Sequence, residues 1–133
     1  MPARYLLDTN TVGYAIKGRP PWVRERLAVV PVREVAISVV TEAELRFGVG
    51  RLSQATSLAR LVEEFLLRVD VLPWDSDAAK QYARVRLEVE KQGQGNLDLM
   101  IAAQALAGEA VLITADRAFN RIRGLQTQDW TKP

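Results

Sequence analysis

Apolar residues fall along this chain in two periods. Short runs at 4–8, 35–39 (VAISV) and 111–114 (VLIT) are brief and rich in aromatic or β-branched types, which predicts buried strands. The alternation in 69–72 (VDVL) predicts a half-buried strand. Over 40–52, 54–67 and 76–91 the apolar positions recur every three or four residues, the spacing of amphipathic helices. A helix is also expected over 21–29, entered through Pro20 and Pro21. The stretch 97–107 (LDLMIAAQALA) is apolar almost all round, so its helix should be buried on most sides. After the first strand, Asp8, Thr9, Asn10 and Thr11 predict a loop.

Strands alternating with helices imply an α/β fold with a parallel sheet covered on both faces. No Pro/Gly/Ser-rich linker and no internal repeat divides the 133 residues, so a single domain over 1–133 is expected. With 48% hydrophobic residues the chain can bury a core of its own.

Composition narrows the chemistry. There is no Cys and no His, which excludes disulfides, thiolate chemistry, Cys/His zinc sites and imidazole bases. Carboxylates, hydroxyls and Lys remain. The N-terminus lacks the apolar core of a signal peptide and no apolar run reaches the ~18 residues of a membrane span, so a soluble, cytoplasmic protein is expected. Net charge is +2, but 14 of 18 basic residues are Arg. Arg favours bidentate contacts to phosphate, and it serves equally in salt bridges on helix faces.

Acids carry the rest. In open parallel sheets ligands collect beyond the carboxyl ends of the strands. Asp8 ends the first strand and Asp116 follows the last, in VLITADRAF. Asp is also a favoured N-cap and turn residue, and both readings stand for each. On the helix 40–52, Glu44 shares a face with Val40, Ala43 and Phe47, whereas Glu42 lies nearly opposite, four residues before Arg46. Glu42 therefore reads as a solvated salt-bridge partner. Glu44, inside an apolar stripe, needs a cation or a polar cleft to receive it. Asp98 stands in the first turn of the helix 97–107, where the dipole should keep it ionised and where it reads equally as an ordinary helix-start residue. Asp75 and Asp77 read as plain caps of an amphipathic helix. Four acids gathered by a sheet without His or Cys would repel one another unless a hard cation neutralised them, which points to Mg²⁺ or Mn²⁺ and to phosphodiester hydrolysis.

Four segments in order, LLDTN at 6–10, SVVTEAELRFG at 38–48, LDLMIAAQAL at 97–106 and LITADRAF at 112–119, resemble the PIN-domain ribonucleases, most closely the VapC toxins. The resemblance runs from residue 4 to GLQTQDW at 124–130. It implies a three-layer α/β/α sandwich, a homodimer, and a metal-dependent endoribonuclease whose Asp8, Glu44, Asp98 and Asp116 surround Mg²⁺ or Mn²⁺. It also implies a type II toxin held in check by a cognate, VapB-like antitoxin that inserts a segment into the active-site groove. Three departures from the family pattern stand out: a shorter loop in KQGQGNLD before Asp98, Gln104 in place of a frequent His, and Ala115 in place of a polar residue.

Thr9, Asn10 and Thr114 flank the acids and are candidates to orient them, or to bond within their own loops. Arg117, Arg121 and Arg123 are candidates to meet RNA phosphates. Trp22, Val23 and the leucines of 54–67 suit either a dimer interface or the core, and Trp74 and Trp130 read as packing residues. A haloacid-dehalogenase-type phosphatase is the rival enzyme, but Asn10 stands where that family needs a second Asp. A PIN-like scaffold that binds RNA or protein without cutting is the other alternative.

Overall fold

The structure, a computed structural model, describes residues 4–52, 56–89 and 93–133. Five strands, β1 (Tyr5–Leu7), β2 (Val35–Ser38), β3 (Asp70–Leu72), β4 (Val111–Ile113) and β5 (Thr127–Gln128), form one sheet in the order β3-β2-β1-β4-β5. Every pairing is parallel. Helices α1 (Thr9–Lys17), α2 (Trp22–Val29), α3 (Val39–Gly50), α4 (Thr56–Arg68), α5 (Ser76–Val89) and α6 (Asn96–Ala107) make the outer layers.

Strand alternation sorts the core. Leu6 pairs with Ala36 and Leu112, and all three face the cluster built with Val85 and Val89 of α5 and Ile101 and Ala105 of α6. Leu7, Ile37 and Ile113 point the other way, onto Val12 and Ile16 of α1, Val23 of α2 and Val62 of α4. Residues of all three central strands are buried on both faces, which explains why their sequences are continuous apolar runs. Trp130 closes the second cluster, buried against Tyr5 with ring centroids 5.3 Å apart, and it is a packing residue as its sequence suggests.

The loop expected after Asp8 is instead helix α1. Asp8 itself starts that helix, because its Oδ1 accepts from the Thr11 N–H at 2.8 Å and satisfies a first-turn donor. At the far end Gly18 adopts φ 74°, and a side chain there would meet the Arg24 guanidinium, which donates to the last-turn carbonyls of Ala15 and Ile16. Helix α3 begins at Val39, one residue before its sequence suggests, because Ser38 Oγ caps it by accepting from the Val40 N–H. Strand β5 has no counterpart among the expected strands. Val23 is core rather than interface, while Leu61 and Leu67 of α4 are exposed. Part of the short loop before Asp98, and the ends of the expected helices 54–67 and 76–91, lie outside the described residues.

The strand order reverses direction of growth between β1 and β4. A doubly wound sheet opens a crevice at such a switch point, beyond the carboxyl ends of the two strands.

Candidate active site

Asp8 sits in that crevice. Its backbone N–H donates to the Ile113 carbonyl at 3.0 Å, and Thr11 Oγ1 donates to the same oxygen at 3.0 Å, so the turn out of β1 is fastened to the end of β4. Asp8 as a whole is 5% exposed. Thr9, in the first turn of α1, reaches across to α3: its Oγ1 donates to Glu44 Oε1 at 2.5 Å and lies 3.2 Å from the buried Thr41 Oγ1. Thr41 precedes Glu44 by three residues and therefore shares its side of α3. That i, i+3 spacing was the available signal for a residue the sequence reading passed over.

Asp116 follows β4. Its N–H donates to Thr114 Oγ1 at 3.0 Å, and its Oδ1 accepts from the Ala118 N–H at 2.9 Å, capping the 3-10 turn Arg117–Arg121. Both strand-end acids thus cap a helix, Asp8 as a buried residue and Asp116 as an exposed one.

Asp98, in the first turn of α6, reports the company of the other three. Burial first, and then the charges of Glu44, Asp116 and Asp8, push its carboxyl up to about 6. The helix dipole does not hold Asp98 in the ordinary carboxylate range, although a value of about 6 still leaves it mostly ionised at neutral pH. Desolvation and three like charges outweigh the favourable dipole, whose usual effect is under about 1 kcal/mol. Asp98 feels the other three carboxylates, yet no three among the described residues form a ready ligand shell as they stand. Glu44 Oε1 is occupied by the Thr9 hydroxyl.

The reading of α3 is corrected in part. Glu42 pairs with Arg46 at 2.7 Å, as its spacing suggests. The stripe around Glu44, however, faces an open groove: the helix turns Leu45 and Val49 toward the core and leaves Ala43 and Phe47 exposed. This groove, about 610 Å³, runs from Thr9 and Glu44 past Phe47 and Arg51, with Leu97 and Met100 of α6 on the other wall. A separate cavity of about 530 Å³, lined by Ile16, Leu27, Leu61 and Phe65, holds none of the four acids.

Asn10 is exposed on α1, and Thr114 is buried. Arg117 and Arg121 are exposed on the turn after Asp116. Arg123 pairs with Glu88 at 3.1 Å. Gln104 donates to the Leu72 and Pro73 carbonyls at 3.1 and 2.9 Å, tying α6 to the end of β3.

Comparison with known proteins agrees with this geometry. The sequence pattern of the PIN domain matches residues 5–125. The tRNA(fMet)-specific endonuclease VapC of Shigella flexneri is 35% identical over 131 residues, covering 96% of this chain and 98% of that protein. Ribonuclease VapC1 of Haemophilus influenzae strain R2866 is 39% identical over 132 residues, with the same coverage of both chains. In the crystal structure of DNA-bound VapBC from Salmonella typhimurium, one chain superposes with a TM-score of 0.88 at 33% identity, covering 97% of this chain and 99% of that one. A parallel five-stranded sheet, acids at the carboxyl ends of its central strands, and full-length similarity to these proteins place the chain in the VapC family of PIN-domain proteins.

Proposed function

We propose that this chain is the toxin of a type II toxin–antitoxin pair, an endoribonuclease that hydrolyses RNA phosphodiesters with a divalent cation held by Asp8, Glu44, Asp98 and Asp116. The observation that carries the reading is the placement of Asp8 and Asp116 beyond the carboxyl ends of the adjacent strands β1 and β4, with Glu44 of α3 tied to the turn after Asp8 by the Thr9 hydroxyl. Four carboxylates around one crevice fit a hard divalent ion, Mg²⁺ or Mn²⁺, because the ion offsets their negative charge and every donor is an oxygen. The chemistry such an ion supplies when bound is activation of water and stabilisation of charge at the phosphate.

The chain's own groups do the rest. Asp8 keeps its cap with Oδ1 and offers Oδ2 to the crevice. The Thr9 hydroxyl fixes the rotamer of Glu44 and leaves Oε2 for the ion. Asp98 holds a proton at low pH and must release it before it can ligate. Asp116, capped onto Ala118 and steadied by Thr114, serves as the outer carboxylate. Asn10 follows Asp8 and suits a role in orienting the acids, and Arg117, Arg121 and Arg123, which follow Asp116 in the chain, suit contacts with RNA phosphates.

The partner of this toxin is a VapB-like antitoxin, in keeping with relatives whose structures are VapBC complexes. The chain acts as a homodimer, a single PIN domain per copy, and meets RNA in the cytoplasm. No helix among the described residues is long and apolar enough to cross a membrane.

The test is cleavage of a panel of structured RNAs with Mg²⁺, with Mn²⁺ and with EDTA, comparing the natural protein with Asp8→Asn. Cleavage that needs both the metal and Asp8 supports the reading. Cleavage that persists in EDTA, or in a folded Asp8→Asn protein, overturns the metal mechanism.

A further inference from the structure

We propose that Phe47 and Arg51 form a stacking platform for the base of a single-stranded RNA nucleotide next to the scissile phosphate. The proposal rests on the nuclease reading above and names where the substrate lies.

Phe47 is a large apolar side chain left 65% exposed, although α3 has a core-facing side in Leu45 and Val49. It stands three residues after Glu44, so both project from the same side of the helix. Arg51, at the helix end, holds its guanidinium over the Phe47 ring, 5.1 Å from the centroid, while its backbone N–H donates to the Phe47 carbonyl. The opposite wall is Leu97, 49% exposed, and Met100, the two residues that straddle Asp98 on α6. One groove therefore connects the two helices that carry Glu44 and Asp98 with an exposed aromatic ring.

Charge selects the occupant. The groove lining contains two charged residues, Glu44 at the acidic end and Arg51 beside the ring. A nucleotide matches that order: its phosphate lies at the ion held by the acids, its base covers Phe47 between the apolar walls, and Arg51 stacks on the base or meets the next phosphate. Stacking on an aromatic ring accepts any base, because every base has a π face. A protein segment would fill the same apolar walls, but only a nucleotide brings a phosphate to the acids together with a flat base to the ring.

Two measurements test this. The first is steady-state cleavage of an RNA that the natural protein cuts, repeated with Phe47→Ala and Phe47→Tyr. Phe47→Ala should raise KM about tenfold with a smaller change in kcat, the usual scale for losing one stacked base. Phe47→Tyr should restore it, and all three proteins should melt at similar temperatures because the ring is exposed. The second is fluorescence quenching of a single-stranded RNA hexamer containing 2-aminopurine, read in the non-cutting Asp8→Asn background with and without Phe47→Ala. Quenching that needs Phe47 supports the platform. Equal affinity with and without the ring, or no binding by either protein, overturns it and leaves the groove to a protein segment. The nuclease reading fails separately: a natural protein that binds the hexamer through Phe47 but cuts no RNA in Mn²⁺ keeps the platform and loses the enzyme.

Discussion

The Thr9 hydroxyl donates to Glu44 Oε1 across 2.5 Å, joining the first turn of α1 to the middle of α3, 35 residues further along the chain. This bond fixes which way the Glu44 carboxylate points, and Thr41 Oγ1 stands 3.2 Å from the same hydroxyl to steady it. Removing the hydroxyl frees Glu44 to rotate into the groove. Thr9→Val should lower metal affinity or cleavage about tenfold or more, the usual cost of losing a group that orients a ligand. Thr9→Ser should keep most of the activity. Titration of Mn²⁺ against cleavage rate checks both, and equal metal dependence in Thr9→Val would contradict the orienting role.

Asp8 has two jobs that substitution can separate. Asn accepts the Thr11 N–H as well as Asp does, so Asp8→Asn should abolish cleavage while leaving thermal stability unchanged or slightly raised. Ala cannot cap, so Asp8→Ala should lose cleavage and also about 1 kcal/mol of stability. Chemical denaturation of the two variants side by side measures the difference.

Asp98 makes stability depend on pH. Its carboxyl sits at about 6 in the folded chain, above the ordinary carboxylate value it takes when unfolded. Below pH about 4 both states are protonated and the group costs nothing. Between about 4 and 6 the unfolded chain releases the proton and the folded chain keeps it, so stability falls as pH rises and the loss is complete near pH 7. After allowance for solvent around a half-buried group, the loss is on the order of 1 kcal/mol. In EDTA, Asp98→Asn should melt about 3 °C above the natural protein at pH 7.5 and level with it near pH 4. Adding Mn²⁺ at pH 7.5 should stabilise the natural protein more than the variant. A differential scanning fluorimetry grid of pH against metal reads all of this.

Glu42 and Glu44 are two residues apart and should behave as opposites. Glu42 is paired with Arg46, which also bonds Glu63, on an exposed face. Glu42→Gln should leave cleavage unchanged and move the melting temperature by no more than about a degree. Glu44→Gln should remove at least nine-tenths of cleavage while the fold persists. Parallel activity assays and melting curves distinguish a ligand from a surface ion pair.

What the sequence determined by itself was the part written in local periods. Val35 to Ile37 and Val111 to Ile113 are continuous apolar runs because the central strands are buried on both faces, and that pattern is visible without a structure. The helical spacing of Glu42 and Arg46 likewise identified a surface pair from positions four residues apart. Tertiary structure decided the rest. Strand β5, two residues long, has no periodicity to read and exists only because β4 offers it an edge. Helix α1 is short and polar at its start, so the Asp8 cap was needed to begin it. The groove beside Glu44 opened because α3 spends its apolar contacts on Leu45 and Val49, a choice made by neighbouring helices. Most plainly, the charge on Asp98 could not be judged from its own helix. Its carboxyl responds to burial and to Glu44, Asp116 and Asp8, and those groups meet only when a parallel sheet folds distant parts of the chain around one crevice, where partial burial weakens the screening by water.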